Sequence, residues 1–219
     1  MNDTAPLVIF TVSSLLLHLV ADRSDHRFAR VLTKAAASSG FIAIALSLGA
    51  LESAWGQTLL VALGLSMLGD LLLLSQATSM FTGGLVSFLL AHVTFGAAFV
   101  VLGVDTTAAA AATLAFTFIA LRVARWILPH IPQRLRGVII AYIVAVSGMA
   151  VLALAASWST GNPALALASV AFFISDIFVA RSRFVAPGFS NRVLGLPLYY
   201  GAQILFALQA APQAALVAC

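Results

Sequence analysis

Ser66-Met-Leu-Gly-Asp70-Leu-Leu-Leu-Leu74 sets one carboxylate inside a run of leucines. A second stretch, Phe172-Phe-Ile-Ser-Asp176-Ile-Phe-Val-Ala180, does the same nearer the end of the chain. What an acid does in such a run depends on the solvent around it, and composition decides that. Of 219 residues, 62% are hydrophobic and 8% are charged, with a mean hydropathy of +1.09. Soluble domains run at about 45–50% apolar and about 25% charged. A water-soluble fold of this size would lack the polar side chains to cover itself, so the reading is an integral membrane protein.

A helix crossing about 30 Å of hydrocarbon needs about 20 apolar residues. Eight stretches meet that demand, at about 5–21, 32–51, 57–74, 81–103, 106–121, 137–157, 163–180 and 194–215. None alternates with the period of two that an outer-membrane barrel strand shows. The expected fold is therefore all-α, a single bundle of about eight transmembrane helices occupying residues 1–219. The acidic start, and the absence of a small-residue cleavage site after the first apolar stretch, predict a retained span rather than a removed signal peptide.

The basic residues support this count. With eight spans, the first, third, fifth and seventh loops share one face. That face collects Arg23, Arg27, Arg30, Lys34, Arg122, Arg125, Arg134, Arg136, Arg181, Arg183 and Arg192, which are all eleven bases of the chain. The opposite face carries only Asp3, Glu52 and Asp105. The positive-inside rule then puts the basic loops in the cytoplasm and both termini outside, as in a bacterial inner membrane protein. The net charge of +4 reflects these loops and gives no reason to expect a nucleic-acid partner. The single cysteine, Cys219, excludes an internal disulfide framework or a cysteine metal cluster.

Asp70 and Asp176 both lie on spans running toward the basic face, each about 6–8 Å inside its boundary at 1.5 Å per residue. A charge in the hydrocarbon region costs about 2.5–3.5 kcal/mol even on the lenient insertion scale. Two acids at one depth point to a carboxyl pair facing a cavity, able to hold one proton between them as an acid beside a base. The alternative is two separate salt bridges, with Asp176 neutralised by Arg181 or Arg183. Lys34, Tyr199, Tyr200 and Gln203 fall at a similar level, the last three gathered by their spacing on one helix face. His18 closes the first span, and His92 lies near the middle of the fourth.

Gly69-Asp70, Phe88-Leu-Leu-Ala-His92, Ser175-Asp176 with Ala180 and Arg183-Phe184, and Tyr199-Tyr200-Gly-Ala-Gln203 occur in an order and spacing that resembles the YhhN family. Lys34 falls where that family has a lysine entering the second span. The chain departs from the pattern at Ala35, where a proline is expected, and at Phe95, where the aromatic is usually tyrosine. The animal members include lysoplasmalogenases. The resemblance therefore implies a multi-span hydrolase that cleaves the vinyl-ether bond of a lysophospholipid to a fatty aldehyde and a glycerophospho-base, with no cofactor.

The chemistry fits two carboxyl groups. A vinyl ether is hydrolysed by protonation of its β-carbon, which leaves an oxocarbenium ion for water to capture, and glycosidases meet a similar cation with an acid and a carboxylate. On this reading Asp70 and Asp176 are catalytic, in an order the sequence leaves open. Tyr199, Tyr200 and His92 would orient water, Gln203 would join them at the substrate, and Lys34 and Arg183 would bind the phosphate. Two other readings compete: a proton-coupled transporter using the same acids, and a metal-dependent lipid amidase or esterase with His18, His92, Asp70 and Asp176 as ligands. There is no Gly-x-Ser-x-Gly elbow and no phosphate-binding glycine loop.

Overall fold

The computed structural model describes residues 4–75 and 77–211. Asp3, Cys219 and the end of the eighth expected span lie outside the described residues. The described residues are predominantly helical and contain no strand. Its long helices are α1 (Ala5–Arg23), α2 (Arg27–Ser47), α3 (Ala54–Leu72), α4 (Thr78–Leu102), α5 (Thr106–Ile127), α6 (Arg136–Thr160), α7 (Pro163–Ala180) and α8 (Phe189–Leu208). A π-helical turn, Arg181–Val185, continues α7.

Local chemistry sets the boundaries. Ser53, Asp105 and Asn162 each accept a backbone N–H from the first turn of the helix they precede, as N-caps do. Gly161 ends α6 at φ +69°, a left-handed conformation that glycine adopts without steric cost. Short loops make consecutive helices antiparallel, so the C-terminal ends of α1, α3, α5 and α7 meet the N-terminal ends of α2, α4, α6 and α8 at one basic end.

Seven of the eight long helices, α1 to α7, are long and apolar enough to cross a membrane. The eighth expected span is present as α8, but its polar content keeps it out of that set. Asn191, Tyr199, Tyr200 and Gln203 are all buried in α8, so the helix carries its polar side inward, and Pro197 removes one of its backbone hydrogen bonds. The bundle as a whole follows this inside-out pattern. Leu114, Phe118, Val144 and Trp158 face outward, while Lys34, Ser38, Asp70 and His92 are buried. Polar residues facing a bundle interior are what a bilayer demands, since lipid offers them no partner.

The core that positions the acids is aromatic. Phe88, Phe95, Phe172, Tyr199 and Phe206 belong to one buried cluster, with Phe88 edge-on to both Tyr199 and Phe172 at 5.8 and 6.3 Å. Gly69 makes this packing possible. A Cβ there would lie 2.6 Å from two ring carbons of Phe88, so the ring rests directly on the α3 backbone beside Asp70. Polar ties fix the other end: Trp55 Nε1 donates to Gln209 O at 2.7 Å and Asn162 Nδ2 to Gln209 Oε1 at 2.6 Å.

Overpacking a close contact of this kind costs about 1–3 kcal/mol, and Gly69→Ala is expected to lose that much stability. Gly64→Ala, on the same helix with nothing within 4 Å of the added carbon, is expected to stay within about 0.5 kcal/mol of the parent. Thermal unfolding of both variants in one detergent checks the pair, and equal stabilities would contradict the packing described.

Candidate functional site

Helices α2, α3 and α8 build the first half of the site. Lys34 and Ser38 are four residues apart on α2 and share a face, which meets the last turn of α3. Lys34 Nζ lies 3.1 Å from Asp70 Oδ1. Ser38 Oγ donates to Asp70 Oδ2 at 2.7 Å, and Tyr199 OH donates to the same oxygen at 2.7 Å. Tyr200 OH is 3.0 Å from Ser38 Oγ. Asp70 is only 2% exposed, so these three donors replace its hydration. An ionised carboxyl has only acceptor sites, and three converging donors are the surroundings of a carboxylate.

Helices α4, α6 and α7 build the second half. Asp176 Oδ2 lies 3.1 Å from His92 Nε2, yet this buried oxygen makes no aligned hydrogen bond with any described residue. The histidine is shared. Its Nε2 is also 3.1 Å from Tyr142 OH and its Nδ1 is 3.4 Å from Met149 Sδ, while its ring lies on Phe172 with centroids 4.6 Å apart. His92 therefore stands behind Asp176 and joins α4 to α6 and α7. The two acids differ in company: one is saturated with donors, and the other has the His92 imidazole and the Tyr142 hydroxyl beside it.

Both acids line one cavity of about 360 Å³ at the basic end of the bundle, together with Lys34, Tyr142, Arg183 and Tyr199. No hydrogen bond joins the two carboxyls among the described residues; Tyr199, bonded to Asp70, lines the same cavity as Asp176. The cavity mouth carries a second polar cluster. Asp22, buried in the last turn of α1, pairs with Arg30 Nε of α2 at 3.2 Å and with Arg192 Nη1 of α8 at 2.5 Å. Arg183 lies over the ring of Phe81 at 4.1 Å. Arg30, Lys34, Arg183 and Arg192 thus face Asp22, Asp70 and Asp176 across one cavity. With every group ionised the balance is one positive charge, which suits an anionic ligand.

The expected site residues divide. Asp70, Asp176, Lys34, Arg183 and Tyr199 line the cavity, whereas His92, Tyr200 and Gln203 do not. The family resemblance implies contact of those three with a substrate, and the structure places each of them outside the cavity lining. Tyr200, one residue beyond Tyr199, is turned toward Ser38 of α2. Gln203 is fully buried with neither amide atom hydrogen-bonded. Lys34 does not reach for solvent; its side chain is 10% exposed and lies on Asp70. Asp176 does not pair with the neighbouring arginines, since Arg181 Nη1 donates to Asn191 Oδ1 at 2.6 Å and Arg183 takes the Phe81 ring.

Ser38, Tyr142 and Asp22 were not singled out from the sequence. Ser38 had a usable signal in its four-residue offset from Lys34. Asp22 reads as one of the loop charges after the first span, and only the fold turns it inward. His18 also lines the cavity and contacts Thr33 Oγ1 at 3.2 Å. Among the described residues no three His, Cys, Asp or Glu side chains converge as a metal site requires, so the four ligands of a metal-dependent reading are not brought together.

No curated protein and no solved structure matches the chain. The sequence model of the YhhN family matches residues 29–210, a range holding both acids, Lys34, His92, Arg183 and the Tyr199–Gln203 segment. With that match running through most of its length, the chain belongs to the YhhN family.

Proposed function

We propose that the protein is a lysoplasmalogenase-like ether hydrolase, cleaving the vinyl-ether bond of an alkenyl lysophospholipid. The observation that carries this reading is the pair of unequally satisfied carboxyls on one cation-rimmed cavity. Membership of a family associated with lysoplasmalogenase supports it. The inequality also supports a division of the roles that spacing left open. Asp176, short of donors, carries the proton; Asp70, held by Lys34, Ser38 and Tyr199, remains the carboxylate.

The reaction consumes one water and yields an aldehyde and an alcohol. Asp176 transfers its proton to the β-carbon of the O–CH=CH unit, and the ether oxygen's lone pair completes an oxocarbenium ion. Asp70 stabilises that cation by its charge, much as a glycosidase carboxylate does. Water adds to the cationic carbon and gives up a proton to the carboxylate of Asp176, which restores the acid. The resulting hemiacetal collapses to the fatty aldehyde and the glycerophospho-alcohol. His92 and Tyr142 act as positioning residues for Asp176. Arg183 and Arg192, the more exposed cations, meet the phosphate, and the ammonium of Lys34 stays paired with Asp70. In this arrangement the basic end faces the cytoplasm and both termini lie outside.

Purified protein given an alkenyl lysophospholipid is expected to release fatty aldehyde. Asp176→Asn should lower kcat by about 10²–10⁴, the range of general acid catalysis, with an unchanged elution profile and unfolding temperature. Asp70→Asn should fall as far. Full activity in either variant removes that acid from the mechanism. No aldehyde from folded wild type overturns the substrate assignment and returns the acids to proton transport. For the orientation, alkaline phosphatase, which folds only outside the cytoplasm, should be active when fused after Cys219 and inactive when fused at Arg134. The opposite pattern would invert the topology.

A further inference from the structure

Asp176 stands at a boundary. Besides the polar cavity, a smaller apolar slot of about 60 Å³ is lined by side chains of α4, α5, α6, α7 and the π-turn. The two spaces have six residues in common: Phe81, Leu85, Tyr142, Asp176, Val179 and Arg183. Beyond that shared wall the slot is bounded only by apolar side chains, among them Val123 and Ile127 of α5, Ile143 of α6 and Ile177 of α7. Passing from one space to the other, an extended molecule would leave a chamber of arginines, cross Asp176 and enter hydrocarbon surroundings.

The slot also has an outlet. Helix α5 packs along α6 and reaches the π-turn, while toward α7 it presents the ring of Phe116, edge-on to Phe173 at 5.4 Å. Few residues of α5 are buried, and Val179, on the shared wall, is 40% exposed. The seam between α5 and α7 is thus the side on which the slot approaches the surrounding lipid.

We propose that this seam holds the hydrocarbon chain of the substrate and is the route by which that chain reaches Asp176 from the bilayer. The inference rests on the hydrolase reading and sharpens it. In an alkenyl lysophospholipid the order along the molecule is phosphate, glycerol, ether oxygen, α-carbon, β-carbon and chain. With phosphate among the arginines and chain in the slot, the β-carbon comes to the boundary residue Asp176, and the ether oxygen and α-carbon fall on the Asp70 side. Because lipid is as apolar as the slot, the seam supplies placement rather than affinity. It holds the carbons nearest the double bond and leaves the rest of the chain among lipids.

Two experiments test this, one without any substitution. A non-hydrolysable alkyl-ether lysophosphatidylethanolamine, carrying a diazirine a few carbons from its ether oxygen, is photolysed with the wild-type protein in nanodiscs. Labelling should fall on α5 and α7, around Val123–Ile127 and Phe173–Ile177. Labelling confined to α1, α2 and α8 would overturn the proposal, whether or not the protein hydrolyses alkenyl lipids. The second compares Val123→Trp with wild type on a long-chain alkenyl lysophospholipid and on its two-carbon vinyl analogue. Filling the slot should lower the ratio of kcat/KM, long over short, at least tenfold; a ratio within twofold of wild type would overturn the placement. If wild type releases aldehyde from neither, the hydrolase reading fails, and the labelling result alone judges the seam.

Discussion

An ammonium and a carboxylate 3.1 Å apart on facing helices, Lys34 of α2 and Asp70 of α3, are the contact on which the site depends. Neither charge is tolerable alone in the hydrocarbon region, and removing one partner of a buried pair costs about 3–5 kcal/mol because the other is left uncompensated. The pair therefore fixes α2 against α3. Its unused bonding capacity then recruits Ser38 from α2 and Tyr199 from α8, so that three helices converge on one carboxylate. Gly69 lets Phe88 lie flush on α3 beside it, and Phe88 in turn supports the Tyr199 ring.

The same economy of partners makes the second acid different. Asp176 has no lysine opposite it, and its neighbouring arginines are engaged elsewhere, one by Asn191 and one by the Phe81 ring. Its remaining company is the Tyr142 hydroxyl and His92, which divides its nitrogens between Asp176, Tyr142 and Met149. In the proposed mechanism the acid with few donors, next to an apolar slot and across a cavity from a saturated carboxylate, is the one that delivers a proton. The proposed division of labour follows from which helix carries a lysine. Function and bundle assembly are thereby coupled, because the group that neutralises Asp70 also holds the cavity wall.

Much of this was legible in the sequence, for identifiable reasons. Asp70 and Asp176 stood out because an acid among leucines is costly, and the one-sided placement of the bases fixed the helix count and the end at which the acids lie. Lys34 and the Tyr199–Gln203 segment were found by depth, yet depth does not specify direction. Tyr199 and Tyr200 are adjacent and point to different partners, and Gln203 shares their level without reaching the cavity. Asp22 was hidden for a different reason. It lies in a charged loop-like stretch, and only the approach of α2 and α8 makes it a buried acid holding Arg30 and Arg192. The unequal surroundings of the two acids were out of reach altogether, since they depend on contacts between residues as distant in the chain as Ser38 and Tyr200.

The account stands or falls on proton delivery to carbon. Hydrolysis of an alkenyl lysophospholipid in heavy water, quenched within one turnover, tests this by mass spectrometry of the aldehyde. Transfer of an acid's proton to the β-carbon predicts one deuterium on the carbon adjacent to the carbonyl in every product molecule. Aldehyde formed without that deuterium would contradict the mechanism, and with it the distinct roles given to Asp176 and Asp70.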